Sequence, residues 1–208
     1  MVIAPQTFKG TISALDAARA IASGVHQAFP LAELARVPVA DGGDGTLDVL
    51  LDATAGKGFD AIVSGPLGNP VTARWGVLGD GRTAIIEAAQ ACGLALLPQR
   101  DRNPLKTTTR GVGELIKLAL DTGYRRIIIG LGGTSTNDGG SGLASALGVS
   151  FLNVNGLAIS LGGRGLIDLA SIDASGLDPR VKETVFIAAS DVTNPLCGPI
   201  GAAATFGP

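Results

Sequence analysis

The sequence predicts an α/β protein: a mostly parallel sheet flanked by helices, with a smaller mixed α/β part. Three observations predict it. Short apolar runs such as VIA (2–4), RIII (126–129) and TVFIAA (184–189) alternate with segments whose apolar residues recur at helical spacing. The 31 glycines show no three-residue period and cluster at the ends of those runs, where tight strand-to-helix turns need them. The chain is 46% hydrophobic but only 4% aromatic, so Ala, Val, Ile and Leu must fill its core.

The elements follow in order. Residues 2–4 form a first strand, stopped by Pro5. A helix over 13–29 places Leu15, Ala18, Ile21, Ala22, Val25 and Phe29 on one face. Ser13 with Asp16 three residues later is a capping-box pattern at its start, and Pro30 ends it. Residues 34–39 (LARVPV) predict a second strand, with Pro38 suggesting a sheet edge. ADGGDG then opens a helix across TLDVLLDAT. Residues 59–89 predict three strands in an antiparallel or mixed patch, with Gly79-Asp80-Gly81 turning between the last two. Residues 98–110 are a polar connection. A helix over 111–122 stops at Gly123, and a strand over 125–131 is buried on both faces by its three isoleucines. Beyond it come a helix over 141–147, a strand over 149–154, a short helix near 166–172 and a strand over 184–189. No internal repeat of fixed period is present.

The bulk numbers bound the function. At 208 residues, net charge −2, pI about 5.3 and mean hydropathy +0.37, the chain can bury a sizeable core. It has no basic block, so nucleic acid and anionic membranes are poor partners. No apolar run is long enough to span a bilayer, and MVIAPQTFKG has no signal-peptide pattern. Cys92 and Cys197 form no CxxC pair, and with one histidine a structural zinc site is not expected. Two cysteines suit a reducing cytoplasm, the expected location.

In open α/β sheets, ligands gather at the carboxyl ends of strands. Four polar motifs fall there: QTFKGT (6–11), ADGGDG (40–45), GLGGTSTNDGGSG (130–142) and DVTNP (191–195). The third offers backbone N–H groups unshielded by Cβ atoms, together with a helix start, which favours an anion. Thr134, Ser135 and Thr136 add hydroxyls there. Asn137 and Asp138 can bond a substrate hydroxyl or hold a neighbouring loop, and Asp138 can equally be an N-cap. Neither Walker A spacing nor GxGxxG is present: Gly56-Lys57 lacks a following Ser or Thr, and Ser135 stands where a third glycine would. Lys9, beside Gly10 and Thr11, is placed either to neutralise phosphate or as an ordinary exposed lysine. Asp41 and Asp44, flanking Gly42-Gly43, can hold Mg²⁺ or bond hydroxyls, or can serve the turn itself. Asp191, at a strand end, can act as general base or metal ligand, or form an Asx turn before Asn194-Pro195. His26 reads as a surface histidine, Cys197 has no adjacent base, and no GxSxG elbow surrounds Ser135 or Ser141.

Taken together, APQTFKGTISALDAA, PVADGGDGT, SGPLGNPV, RNPLKTTTRGVGELI, GGTSTNDGGSG and DVTNPLCGPIGAAATFGP resemble the glycerate kinase family, in the type that phosphorylates D-glycerate with ATP. The resemblance implies a flavodoxin-like part, begun by residues 1–58, and a mixed α/β segment over 59–208. It implies transfer of the ATP γ-phosphoryl group to a glycerate hydroxyl, with Mg²⁺ accompanying ATP, and is compatible with a homo-oligomer. The family's Asp-Ser-Phe-Lys-Gly block stands here as Gln6-Thr7-Phe8-Lys9-Gly10, so Gln6 replaces an acid. Asp44 replaces a glutamate in the second block, and Thr134 and Ser135 are substitutions in the third. Asp191 and Asn194 are kept. Carried over this way, Asp191 and Lys9 are the expected catalytic residues, with Asp191 and Asp41 as metal candidates. Thr7, Asp41, Gly42, Gly43, Gly132, Gly133, Thr134, Ser135, Thr136, Asn137, Asp138 and Asn194 are the expected substrate- and phosphate-binding residues. The pattern of the family continues beyond Pro208, so a C-terminal part of it is expected to be missing.

Overall fold

The structure is a computed structural model and describes residues 1–8 and 10–207. Strand β1 (Val2–Ile3) leads to helix α1 (Ala14–Ala28) and to β2 (Ala35–Arg36), which pairs parallel to β1. Ser13 caps α1 as its motif predicts: its Oγ accepts from the Asp16 N–H at 3.1 Å and donates to the Asp16 carboxylate at 2.8 Å. The second strand is shorter than expected, and the prolines explain why. Val37 and Val39 still donate to Ile3 and Pro5 carbonyls at 2.8 and 3.0 Å. Pro5 has no N–H with which to continue the ladder.

Helix α2 (Thr46–Thr54) is followed by the antiparallel strands β3 (Lys57–Ser64), β4 (Pro70–Val77) and β5 (Ala84–Glu87). A short helix α3 (Ala89–Cys92) and helix α4 (Arg110–Asp121) lead to β6 (Arg126–Gly130). Then come α5 (Ser141–Ala146), β7 (Ser150–Leu152), β8 (Ser171–Asp173), β9 (Val185–Ala189) and α6 (Ala202–Phe206). The main sheet has the order β3-β4-β5-β6-β9, with β5, β6 and β9 parallel and β3 and β4 added as the antiparallel patch. The α/β class holds. The short helix expected near 166–172 forms earlier and as a 3-10 helix. A 3-10 turn over Gly163–Asp168 precedes β8, whose Ile172 pairs opposite Phe151 of β7. The polar connection 98–110 also contains a 3-10 turn over Gln99–Asp101.

Both faces of β5 and β6 are covered, whereas β9 at the sheet edge is largely exposed. On one side Ala84, Ile86, Ile127 and Ile129 pack with Val112, Leu115, Ile116 and Ala119 of α4. On the other, Ile85 packs with Leu47 and Leu51 of α2, and Ile128 lies against that cluster. Burying a side chain such as Leu115, which is fully covered, contributes about 1.5–3 kcal/mol. This two-sided packing anchors the end of β6, from which the 130–142 loop emerges.

Candidate active site

Three of the polar loops meet at the carboxyl edge of the sheet, in contact through their backbones. The Gly132 N–H donates to the Gly42 carbonyl at 2.9 Å, and the Leu131 N–H donates to Ala189 O at 3.1 Å. The approach is too close for side chains. A Cβ on Gly42 would lie 2.2 Å from Ala189 O, one on Gly130 2.7 Å from Gly42 O, and one on Gly132 2.6 Å from the Gly43 Cα. Gly42 also has φ +92, a left-handed conformation that glycine adopts without penalty. The glycines of ADGGDG and GLGG are therefore what allow 41–45, 130–133 and 189–190 to touch. The first loop joins them through Gln6, whose Nε2 donates to Asp41 Oδ2. Lys9, the expected catalytic cation, lies outside the described residues.

The 41–45 turn is held from several sides. Asp41 Oδ1 accepts from the Gly43 N–H at 2.9 Å, and Thr46 Oγ1 accepts from the Gly42 N–H at 3.1 Å. The Asp44 carboxylate lies against Gly133, where an added Cβ would come within 2.6 Å of Asp44 Oδ1. A further carboxylate, Glu87 at the end of β5, sits beneath the turn and accepts from the Leu47 N–H at 2.9 Å. It is only 1% exposed. Burial raises its pKa above the ordinary glutamate value, against the opposing effect of its backbone hydrogen bonds, and the nearby Asp44 charge raises it further. Sequence reasoning missed Glu87. The available signal was an acid ending the otherwise apolar run TAIIE.

The 132–140 loop divides its residues between two tasks. Asp138, 1% exposed, accepts from the Thr109 N–H at 2.8 Å, from Thr109 Oγ1, and from the Gly140 and Gly142 N–H groups at 3.1 and 3.2 Å. Thr109 Oγ1 in turn accepts from the Leu143 N–H at 2.9 Å. The start of α5 is thus satisfied from within, by Asp138 and Thr109, and Asp138 ties it to the start of α4. Ser135 is likewise turned inward. Its N–H and Oγ both donate to Cys92 O, at 2.8 and 2.9 Å, and its carbonyl accepts from Thr107 Oγ1 at 2.7 Å. Thr136 Oγ1 reaches Cys92 Sγ at 3.9 Å. Burial pushes the Cys92 thiol up to about 12, which leaves it inert as a nucleophile. Thr134 and Gly133 pair with 93–94 through a bridge, the Leu94 N–H donating to Gly133 O at 2.9 Å.

Asp191 emerges from the end of β9 and is exposed, two residues from the Ala189 carbonyl that meets Gly42. Asn194 is drawn aside. Its Nδ2 donates to Ile200 O at 2.9 Å, with Thr205 Oγ1 of α6 at 3.4 Å. Asn137 faces the same helix end: a Cβ on Gly207 would lie 3.6 Å from Asn137 Nδ2. Thr7 turns onto its own loop, donating to Ile12 O at 3.3 Å. Asp41, Gly42, Gly43, Gly132, Gly133 and the Asp191 segment are therefore brought together directly. Asn137 and Asn194 both lie against the α6 segment. Among the described residues the charge at this junction is carried by carboxylates, and no group of three or more His, Cys, Asp or Glu side chains is gathered to hold a metal by itself. Two concavities, one lined by Met1, Ile3, Ile21 and Val25 and one by Lys117, Ser145, Asp178 and Arg180, contain none of the expected site residues.

Glycine-lined loops meeting at the carboxyl edge of parallel strands stand where open α/β sheets as a class gather their ligands. The sequence model of the glycerate kinase family matches residues 1–208, and the chain belongs to that family. It is 55% identical over 208 residues to a glycerate kinase of Bacillus subtilis (strain 168), covering all of this chain and 54% of that protein. It is 52% identical over 208 residues to a glycerate 2-kinase of Escherichia coli (strain K12), again covering all of this chain and 55% of the relative. A crystal structure from Salmonella typhimurium LT2, of a protein assigned as glycerate kinase 2, superposes with a TM-score of 0.86 at 50% identity, over 99% of this chain and 55% of that one. The chain thus spans about half the length of the relatives it matches. No helix among the described residues is long and apolar enough to cross a membrane.

Proposed function

We propose that this chain carries the glycerate-binding and catalytic carboxylates of a kinase that transfers the ATP γ-phosphoryl group to a hydroxyl of D-glycerate. The observation that carries the proposal is the backbone contact of 41–45, 130–133 and 189–190 at one sheet edge. Carboxylates suit a polyol: they accept hydrogen bonds from hydroxyl groups and draw a proton from the one that attacks. Asp191, exposed at the strand end, is the proposed base. The glycerate oxygen attacks the γ-phosphorus, ADP leaves, and the hydroxyl proton passes to Asp191. Asp41 orients the acceptor, and Gly132 and Gly133 let the phosphoryl group approach backbone. A site this rich in carboxylates needs positive charge to accept phosphate. Lys9 supplies part of it. Mg²⁺ is usually held by one or two carboxylates together with nucleotide phosphates, a mode that Asp191 and Asp41 fit, and it neutralises phosphate charge when bound. The acceptor is proposed to be the 2-hydroxyl, the position in the name of the Escherichia coli relative.

ADP release coupled to D-glycerate tests this reading, with phosphorus NMR identifying the product. Turnover giving 2-phosphoglycerate, abolished in Lys9→Ala and Asp191→Ala, is expected. No turnover above those variants removes catalysis from this chain. A second reading is favoured by the carboxylates that line the loop junction: a non-catalytic unit that binds a small hydroxy acid such as glycerate. Calorimetric titration separates the two, since that unit binds glycerate but not MgATP.

A further inference from the structure

Helix α2 has Gly45 as its N-cap, with φ +88 and no side chain to cap the first turn. A helix start leaves its leading N–H groups without intrahelical partners, and burial makes each unmet one costly. In this helix the Thr46 N–H finds Gly43 O at 3.1 Å within the turn, but the Leu47 N–H finds Glu87 Oε2 at 2.9 Å, a side chain forty residues away on β5. The Gly45 N–H, one residue earlier, lies near enough to the Glu87 carboxylate to favour its charged form, and Gln90 Nε2 steadies Oε1 at 3.4 Å. Glu87 lies opposite Gly130 in the sheet register, directly beneath the contact between Gly130 and Gly42. The same residue therefore meets the start of α2 and the strand end that the 41–45 turn packs on.

We propose that Glu87 is a positioning residue: its buried carboxylate caps α2 from the sheet and so fixes the Asp41–Gly45 turn in the conformation that receives glycerate. The proposal rests on the glycerate reading for its ligand, but not for its geometry. Glu87 touches no substrate in this account. It acts through Gly45 and Leu47, and loss of its carboxylate frees the turn without altering Asp41 itself.

Hydrogen-exchange mass spectrometry and D-glycerate titration on the 208-residue chain test it, using Glu87→Ala, Glu87→Gln and, as a stability control, Ile116→Val in the opposite core layer. In Glu87→Ala, amide exchange over 41–48 is expected to quicken by tenfold or more while the β6 and α4 peptides keep their protection, and glycerate affinity is expected to fall about tenfold. Glu87→Gln retains an acceptor for the Leu47 N–H and is expected to restore most of both. Ile116→Val is expected to shift exchange uniformly and leave glycerate affinity unchanged, which a merely structural role for Glu87 would also do. Exchange over 41–48 in Glu87→Ala that matches wild type, or that rises only in step with all other peptides, overturns the proposal. If the wild-type chain binds no glycerate, the functional reading fails by itself and the exchange comparison still decides the role of Glu87.

Discussion

Replacing Gly132 with alanine probes the loop junction most sharply. Gly132 does not need a left-handed backbone, so the substitution carries no conformational penalty of that kind. What it adds is one methyl carbon 2.6 Å from the Gly43 Cα and 2.9 Å from the Gly43 nitrogen. Ordinary carbon contacts are about 3.5–4.0 Å, so the two loops must part by about 1 Å. Both neighbours are backbone, anchored by the Gly132–Gly42 hydrogen bond, and neither can swing aside. Overpacking of this kind costs about 1–3 kcal/mol. For a chain of this size that lowers the melting temperature by about 2–4 °C per kcal/mol. Gly24→Ala is the matched control: it lies in the middle of α1 with nothing within 4 Å of its added Cβ. It is expected to stabilise by about 0.5–1 kcal/mol through helix propensity alone. Urea unfolding of both variants gives the comparison. A Gly132→Ala variant as stable as wild type, with unchanged exchange over 41–45, would show that the loops do not touch as described.

Other expectations follow from the same geometry. Asp138→Ala leaves the Thr109, Gly140 and Gly142 N–H groups without their acceptor and is expected to cost about 2–4 kcal/mol in urea unfolding; a loss below about 0.5 kcal/mol would contradict its bridging role. The Asp178 carboxyl is lowered to about 2, chiefly by its hydrogen bonds from Arg180. Its contribution to stability is present above the unfolded carboxyl value near 4 and is lost as pH falls toward 2, so Asp178→Asn should flatten the acid limb of the unfolding curve. Glu87 has the opposite sign. Its raised pKa favours the protonated form in the fold, so its contribution is largest at low pH and fades as pH rises above the ordinary glutamate value near 4. The stability difference between wild type and Glu87→Gln should shift accordingly between pH 4 and pH 8, and a difference independent of pH would contradict the burial of an ionisable group there.

The outline of the fold was legible because the local signals agreed with the packing. Ser13 and Asp16 marked the start of α1, TLDVLLDAT became α2 residue for residue, and Gly123 stopped α4 with φ +100. The isoleucines of β6 announced a strand covered on both sides. Less legible were features set by partners distant in sequence. Ile172 joins a strand because Phe151 lies opposite, and no local pattern carries that information. Glycine clustering marked the turns that touch at the sheet edge. Which polar side chains face outward was not readable, because that depends on what each finds inside the fold. Asp138 and Ser135 found α4, α5 and Cys92, whereas Asp191 found none of these and is exposed. Glu87 escaped notice for the same reason. Its partners, Gly45 and Leu47, come from a helix that only the folded sheet brings near.

Isotope-edited NMR of the uniformly ¹⁵N-labelled chain, titrated with D-glycerate, tests the heart of this account. The amide signals of Gly42, Gly43, Gly132, Gly133 and Asp191 should move together along a single binding isotherm, with those of β7 and β8 unmoved. Shifts confined to one loop, or following separate isotherms, would mean that the strand-end turns do not form one site.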